Sequence, residues 1–327
     1  MKKLCLLFAL TFLFLSLASC SSGLEPVPVD TKPEITTTTK KPIQKDTRAE
    51  TKEDTIMQEG DPSQDDVINV LMIGNSFCYY YVEELYGIAK AAGVNMKVCN
   101  LYYSGCKLSQ HWTWWKNDES NYQFFETDEN GRVKHEGYSL RRGLARENWD
   151  VISFQQSSAQ VRTTIEDAKS NAYKYLTDLL NYTKEQFPQS AFYWHHTWAY
   201  QVGYDRSGFV VDTVEKQTAM ATLLHDFALE LCKDYSLARI PSGDAWQYAR
   251  QDARAGDVLC NRGARSDNYH DGDEGGGQYL NACVWFETIT GQSCIGNTWR
   301  PNNYTLSEGK IAALQAAAHR AVAESRG

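Results

Sequence analysis

Residues 67–77 read VINVLMIGNSF, an apolar run that ends in Gly74-Asn75-Ser76. A short apolar run that stops at turn-forming residues predicts a buried strand. The pattern then becomes helix-like, so the strand would hold the Ser76 hydroxyl at the carboxyl edge of a sheet. Open α/β folds place their functional sites at that edge. The stretch therefore marks Ser76 as a candidate nucleophile that attacks an ester.

Strand-like and helix-like segments alternate along the rest of the chain. The further strand-like runs are 96–103, 149–154, 190–198 and 237–241. The segments with helical spacing of apolar residues are 82–92, 165–187, 214–235, 278–290 and 307–325. This alternation predicts a parallel sheet with helices on both faces. Residues 112–138 are aromatic, polar and irregular, and they are expected to form an insertion over the site and no layer of the core.

The N-terminus has the features of an export signal. Two lysines precede the apolar stretch 4–17, and small residues then lead to Cys20. Cysteine at this position resembles the bacterial lipoprotein signal, in which cleavage after residue 19 makes the cysteine the lipid-bearing N-terminus. An ordinary cleaved signal with an incidental cysteine is the alternative. The interpretation adopted is a lipid anchor on Cys20 that holds the protein in the cell envelope, facing the periplasm or the exterior.

Three regions follow from composition. Residues 1–19 are the signal peptide, and residues 20–65, rich in Thr, Pro, Lys and acidic residues without apolar periodicity, form a flexible tether. Residues 66–327 are long enough for one sizeable α/β domain. No other run reaches the ~18 apolar residues that a membrane-spanning helix needs.

The chain is acidic. Removing residues 1–19 deletes two lysines and no acids, so the formal charge changes from −8 to −10. A negative protein is repelled by phosphate backbones, which argues against nucleic acid as a partner. The same charge favours neutral or mildly cationic ligands.

Seven cysteines remain beyond Cys20, and they show no CxxC or zinc-type spacing. Export permits disulfides, but an odd number leaves at least one thiol unpaired. The preferred interpretation is that these cysteines are small buried apolar side chains.

A carboxylate and a histidine lie three residues apart in the loop Ser266-Asp267-Asn268-Tyr269-His270. One turn of chain can place Asp267 against one imidazole nitrogen of His270 and leave the other free to take a proton from Ser76. Serine is a weak nucleophile, so acyl transfer needs such an oriented base. Taken alone, DxxH is common in surface loops. Asp244, after the fifth strand-like run, is the competing candidate for the orienting acid.

The motifs together resemble the SGNH (GDSL-like) hydrolase superfamily. The shared blocks are Gly74-Asn75-Ser76 after the first strand, Gly105 after the second, the polar end of the third, and the Asp267–His270 pair before a closing helix. The flanking residues are similar to a Bacteroides-type branch described as a domain of unknown function (DUF4886-like). The resemblance covers about residues 67–295. It implies a flavodoxin-like α/β fold, a three-layer α/β/α sandwich on a five-stranded parallel sheet, and esterase or deacetylase activity on acylated carbohydrates.

The resemblance also implies roles. Ser76 would be the nucleophile and, through its backbone amide, an oxyanion donor, and Gly105 would offer a second amide. His270 would act as base and then acid, oriented by Asp267. This mechanism needs no cofactor.

The third block departs from the superfamily pattern. Residues 155–158 read Gln-Gln-Ser-Ser where Gly-x-Asn-Asp is expected. A glutamine amide can replace the asparagine donor, and a preorganised donor contributes about 3–4 kcal/mol to the transition state. Gln155 is the favoured third donor and Gln156 the next. The first block has Asn75 in place of Asp, a position expected mainly to shape the turn.

Four further residues are candidates for the substrate pocket. They are His111 and Trp112, which follow Gly105 closely, and His195 and His196 in the fourth strand. An aromatic cluster in the core is the alternative for the first pair. Adjacent strand residues point to opposite faces, so the two histidines are not expected to share a metal, and no metal site is predicted.

Sequence alone thus favours a lipid-anchored serine esterase that removes a small acyl group, acetyl above all, from a carbohydrate. The alternative is a glycan-binding surface lipoprotein that retains the fold without turnover, which the altered third block motivates. A lipase or thioesterase for long acyl chains is a third hypothesis, disfavoured by the polar, Trp-rich segment 112–138.

Overall fold

The computed structural model describes residues 67–326. The predicted signal peptide (1–19), the anchor Cys20 and the tether (20–65) lie outside the described residues. The domain predicted from residue 66 onward accounts for all of the structure that follows.

A seven-stranded sheet forms the centre of the domain. Its strands are β1 (Ile68–Gly74), β2 (Met96–Tyr102), β3 (Tyr122–Asp128), β4 (Gly131–Tyr138), β5 (Val151–Phe154), β6 (Ala191–His195) and β9 (Ala238–Ile240). The spatial order is β4-β3-β2-β1-β5-β6-β9. Strands β2, β1, β5, β6 and β9 run parallel, which confirms the predicted five-stranded, flavodoxin-like part of the sheet.

Within residues 67–326, eight helices cover the sheet. They are α1 (Val82–Ala91), α2 (Leu108–Asn117), α3 (Leu140–Leu144), α4 (Ile165–Gln186), α5 (Val214–Tyr235), α6 (Ser242–Gln251), α7 (Gly277–Thr290) and α8 (Glu308–Ser325). Helices α1, α6, α7 and α8 pack together, and α2, α4 and α5 form a second group. The strand order runs outward from β1 in both directions, and crossovers between parallel strands are right-handed as a rule, so one group of helices lies on each face of the sheet and the domain has three layers.

The expectation for residues 112–138 was wrong. Most of this segment belongs to the core, because α2 packs on α4 and strands β3 and β4 extend the sheet antiparallel beyond β2. Phe124 is fully buried, and its ring stacks on Tyr138 at 4.7 Å. The missed signal was Asn130-Gly131, a hairpin turn between two runs with strand character.

Two small hairpins stand outside the main sheet. They are β7 (Tyr204–Arg206) with β8 (Phe209–Val211), and β10 (Asn261–Arg262) with β11 (Arg265–Ser266). The second hairpin leads directly into the loop that contains Asp267 and His270.

The helices follow simple local rules. Thr164, Thr213 and Ser307 cap α4, α5 and α8 by accepting a hydrogen bond from the amide three residues later. Helix α7 is buried on all sides over its first eleven residues because α1, α6 and α8 surround it. None of the described helices is long and apolar enough to cross a membrane.

The seven remaining cysteines have free thiols, and all are buried. Burial raises the pKa of Cys78 and of Cys232 to about 12. The thiols of Cys78 and Cys232 therefore stay protonated at neutral pH. All seven side chains pack as small buried groups.

Glu84 is a buried acid on α1. One of its carboxylate oxygens accepts a hydrogen bond from the Tyr304 hydroxyl at 3.0 Å, while the other, Oε2, has no partner among the described residues. Burial raises the pKa of Glu84 to about 7. The folded protein therefore holds a proton on Glu84 at pH values where the unfolded chain has lost it.

This proton predicts a pH-dependent stability. Between about pH 4.5 and about pH 7 the folded state binds more protons than the unfolded state, so the contribution of Glu84 to stability falls as pH rises. Glu84→Gln should remove on the order of 1–3 kcal/mol of that fall. Urea unfolding at pH 5, 6, 7 and 8 measures it, with the exposed neighbour Glu83→Gln as control. If the free energy of unfolding of Glu84→Gln changed with pH as steeply as that of the unsubstituted protein, Glu84 would not be the group responsible.

Candidate active site

Ser76 lies on the turn that ends β1. The side chain of Asn75 accepts a hydrogen bond from the Phe77 amide at 3.1 Å, which caps a single 3₁₀ turn over Ser76–Cys78. The turn holds Ser76 above the carboxyl end of the sheet, with 7% of its surface exposed. The hydroxyl is therefore held in one place at the edge where the sequence predicted it.

His270 reaches Ser76 from a loop 194 residues further along the chain. Ser76 Oγ lies 2.7 Å from His270 Nε2, and His270 Nδ1 lies 2.7 Å from Asp267 Oδ2. A carboxylate only accepts hydrogen bonds, so Nδ1 carries the proton and Nε2 is left to accept from the serine hydroxyl. The three side chains form one continuous line of hydrogen bonds.

Asp267 is held in its charged form. Its second oxygen, Oδ1, accepts hydrogen bonds from the amides of Tyr269 and His270 at 3.1 and 2.9 Å. Burial opposes ionisation, but the hydrogen bonds from the His270 side chain and backbone outweigh it and lower the pKa of Asp267 to about 2. Asp267 is therefore negative throughout the physiological range.

Contacts from three other elements fix the loop around His270. The Trp198 indole donates to the Tyr269 carbonyl at 2.9 Å. The Arg262 guanidinium donates twice to the Asp271 carbonyl, at 3.3 and 3.1 Å, and the Gln278 amide donates to the same oxygen at 3.3 Å. The loop is thus held from both sides of His270.

Aromatic rings enclose the His270 imidazole. Ring centroids lie at 4.0 Å for Tyr269, 5.3 Å for Tyr80 and 5.7 Å for Phe77. Phe77 is buried, whereas the two tyrosines are half-buried. The tyrosines therefore form walls of the site that a ligand can contact.

The side chain of Asn75 connects the first three blocks. Its Nδ2 donates to the Cys106 carbonyl at 2.8 Å, which ties the loop containing Gly105 to the end of β1. Its Oδ1 accepts from Gln155 Nε2, also at 2.8 Å. Gly105 has a positive φ of 66°, a conformation that glycine adopts without strain.

The oxyanion donors that the sequence suggested lie around this network. Gln155 Nε2 uses one amide hydrogen on Asn75, which fixes the side chain and leaves its second hydrogen unassigned. Gln156 is also buried, but its Nε2 has no acceptor among the described residues. The amides of Ser76 and Gly105 have no acceptor among the hydrogen bonds described for turns and loops.

His111 and Trp112 do not face the triad as pocket residues. His111 is 1% exposed, and its Nδ1 lies 2.7 Å from the Tyr122 hydroxyl, whose ring it stacks on. Trp112 donates to Asp178 on α4 at 2.8 Å. Both residues join α2 to its neighbours, because α2 belongs to the core and does not cover the site.

His195 and His196 point to opposite sides of β6, as their adjacency predicted, but both are buried. His195 Nε2 lies 3.0 Å from the Ser242 hydroxyl, and His196 Nδ1 accepts from Arg239 at 3.1 Å. Burial lowers the pKa of each histidine to about 3. They are neutral interior residues and do not line a substrate pocket.

Asp244 lies in a separate cluster and does not orient His270. It forms an ion pair with Arg239 and accepts a hydrogen bond from His225 Nδ1 at 2.8 Å. The possible ligand atoms of His196, His225 and Asp244 lie within 4.8 Å of one another. The Arg239 guanidinium contacts His196 and Asp244, so two of these three side chains already have a cationic partner.

Sequence reasoning missed the residues that surround His270 in space. Tyr80 and Tyr269 could have been noticed only as neighbours of Ser76 and His270 along the chain. Arg262 gave no signal, because its contacts depend on how the β10–β11 hairpin folds back on the site.

A family model described as Domain of unknown function (DUF4886) matches residues 69–321. The chain belongs to the DUF4886 family. A crystal structure of a DUF4886 family protein from Bacteroides uniformis ATCC 8492 is 30% identical, has a TM-score of 0.70, and is covered over 95% of its length by 79% of this chain. The resemblance inferred from the motifs is thus confirmed for the family.

More distant structures resemble this DUF4886 domain. A candidate SGNH hydrolase from Slackia heliotrinireducens is 18% identical with a TM-score of 0.44, over 68% of this chain and 100% of that one. A candidate GDSL-like lipase from Parabacteroides merdae ATCC 43184 is 18% identical with a TM-score of 0.43, over 68% and 95%. No curated protein matches the chain.

The contact between Gly74 and Gln155 gives a prediction. A Cβ atom at residue 74 would overlap the Gln155 side chain, so Gly74→Ala should push Gln155 away from Asn75 and lower the free energy of unfolding by about 1–3 kcal/mol. Gly309→Ala, in open space on α8, should raise it by up to about 1 kcal/mol. Chemical denaturation compares the two variants, and equal stability would refute the steric argument.

Proposed function

We propose that this DUF4886 protein is a serine hydrolase that cleaves small acyl esters, acetyl esters above all, from carbohydrates. The observation that carries the proposal is the line from Ser76 Oγ through the His270 ring to Asp267, with both hydrogen bonds at 2.7 Å. A serine paired with an oriented imidazole is the arrangement that acyl transfer requires.

In the proposed first step, Ser76 Oγ attacks the ester carbonyl carbon while His270 Nε2 takes the hydroxyl proton. The tetrahedral intermediate then collapses, the bond to the sugar oxygen breaks, and His270 returns the proton to that oxygen. An acyl group is left on Ser76. Water repeats the sequence with His270 as base, which releases the acid and restores the serine.

Asp267 stabilises the imidazolium that forms in each step. Its pKa of about 2 keeps it negative while His270 is positive. The amides of Ser76 and Gly105 are the proposed backbone donors to the oxyanion. Gln155 supplies the third, through the hydrogen it does not use on Asn75, because a donor already fixed by one hydrogen bond costs little to orient.

The surroundings of the serine support a carbohydrate ester with a small acyl group. Tyr80 and Tyr269, whose rings contact His270, are half-buried, and their exposed parts are suited to pack against a sugar ring. The proposed location is the cell envelope, with the enzyme anchored in the membrane by lipid on Cys20.

A glycan-binding protein without turnover is the second candidate. Its support is the hydrogen bond from Gln155 to Asn75, which uses part of the side chain that the altered third block offers in place of the superfamily asparagine. The two candidates differ in whether the serine turns over, and this is directly measurable.

The esterase proposal predicts how single substitutions change turnover. With p-nitrophenyl acetate and a protein lacking residues 1–65, Ser76→Ala and His270→Ala should each lower kcat by about 10³-fold or more. Asp267→Asn should also lower kcat steeply, because it favours the wrong tautomer of His270. Ser104→Ala, in the loop before Gly105, is the control. Wild-type activity in Ser76→Ala would exclude the mechanism, whereas a lack of turnover by the unsubstituted protein would favour the binding protein.

The third oxyanion donor is tested separately. Gln155→Leu should lower kcat about 10²–10³-fold with little change in KM, because the donor acts in the transition state. Gln156→Leu should lower kcat by less than about tenfold, which is the effect expected from the loss of one ordinary hydrogen bond. The reverse ranking would assign the donor to Gln156. Thermal unfolding of both variants separates lost catalysis from lost folding.

A further inference from the structure

Two guanidinium groups back the tyrosines that flank His270. The Arg262 carbon Cζ lies 3.7 Å from the ring centre of Tyr80, and Arg206 Cζ lies 4.9 Å from that of Tyr269. Those rings lie 5.3 and 4.0 Å from the His270 ring. For each arginine, the distance to the tyrosine ring and the distance from that ring to His270 together place the guanidinium carbon within about 9 Å of the centre of the imidazole.

We propose that the natural ester substrate carries an anionic group, a carboxylate or a sulfate, next to the acyl group, and that Arg206 and Arg262 bind it. This inference rests on the proposed esterase function and adds the charge of the substrate. An acidic sugar bearing an acetyl ester has this chemistry. Guanidinium groups suit it because they keep their positive charge at all physiological pH values and donate hydrogen bonds to carboxylate and sulfate oxygens.

Arg262 is the fixed member of the pair. Its Nε and one terminal nitrogen donate to the Asp271 carbonyl, at 3.3 and 3.1 Å, while its face covers Tyr80. The other terminal nitrogen has no acceptor among the described hydrogen bonds. Arg262 therefore presents a prepositioned donor, at low entropic cost, to a ligand that packs on Tyr80.

Arg206 is the exposed member. It lies on the β7–β8 hairpin, and its only described hydrogen bond goes to the Tyr269 hydroxyl at 3.4 Å. Its neighbour Asp205 points to the other face of the strand, because successive strand residues alternate. The charge of Arg206 is thus not neutralised from within its own hairpin.

Arginines that have no acidic partner are concentrated around this site. Among the arginines that the structure describes, those without a carboxylate at ion-pair distance are Arg142, Arg162, Arg206, Arg262, Arg265 and Arg326. Four of them lie near the triad: Arg162 faces Phe209 on the β7–β8 hairpin, and Arg265 is on β11, just before Asp267. The other described arginines are paired with acids.

Arg162, Arg206, Arg262 and Arg265 form a positive rim around the site. This rim is unexpected in a chain whose formal charge is −8. The net charge had suggested neutral or mildly cationic ligands. Net charge averages over the whole surface, whereas a substrate responds to the charges at the mouth of the site. The local arrangement of unpaired arginines therefore points to the opposite sign of ligand.

The test compares aryl acetates that differ in charge. 4-Acetoxybenzoate and 4-acetoxybenzenesulfonate present a carboxylate and a sulfate-like group, and 4-acetoxybenzamide is the neutral partner. Rates are corrected with Ser76→Ala and divided by the rates of hydroxide hydrolysis, which removes differences in intrinsic reactivity. The value of kcat/KM for at least one anionic ester should exceed that for the neutral ester 4-acetoxybenzamide by about 10-fold. Raising the salt concentration from about 0.05 M to about 0.5 M should reduce this preference for the anionic ester. A preference for the carboxylate ester or for the sulfonate ester shows which of the two anionic groups the natural substrate carries.

Arg206→Gln should reduce the preference while turnover of 4-acetoxybenzamide stays within about twofold. Arg262→Gln should also reduce the preference, and the two together should abolish it; because the preference is the ratio of the anionic to the neutral ester in one variant, a general loss of turnover through the His270 loop cancels from it. Arg142→Gln is the matched control, since Arg142 also stacks on a tyrosine, Tyr138, and has no acidic partner. Arg206 is on an exposed hairpin, so its variant tests the idea even where Arg262→Gln disturbs the loop. Ser76-dependent turnover without anionic preference overturns this inference alone. No Ser76-dependent turnover of any ester overturns the esterase proposal and this inference with it.

Discussion

The side chain of Asn75 is the point on which the site depends. Through three hydrogen bonds it joins the turn after β1, the loop after β2 and the first residue after β5. These are the ends of three adjacent parallel strands, and a buried amide with both its donor and its acceptor used holds them at one spacing. Gly74 makes this possible, because any side chain at that position would overlap the side chain of Gln155. The position that was expected mainly to shape a turn also connects three blocks of the site.

The second half of the site depends on a different kind of restraint. His270 comes from a loop with little regular structure, and it is held by hydrogen bonds to the carbonyls on either side of it and by rings packed on its faces. Stacking of Trp198 on Trp246 at 4.5 Å connects that support to helix α6. His270 is therefore positioned by the interior of the domain, whereas Ser76 is positioned by the sheet.

Charge is distributed unevenly over this acidic protein. Most arginines are neutralised by nearby carboxylates, and the cluster of His196, His225 and Asp244 contains its own cation in Arg239. Arginines without such partners border the triad. The same aromatic residues that enclose His270 also support two of these arginines, so the walls of the site and its positive rim are one structure.

The sequence by itself determined the parallel part of the fold, and its local motifs singled out Ser76, Asp267 and His270, which the structure brings together. Strand periodicity, helix caps and the order of motifs are local properties, and residues three apart in a turn must meet. Only the tertiary structure decided that residues 112–138 extend the sheet, that His111, Trp112, His195 and His196 are interior, and that Gln155 binds Asn75. Those outcomes depend on which elements pack together and on where side chains distant in sequence find partners, and no local pattern encodes that.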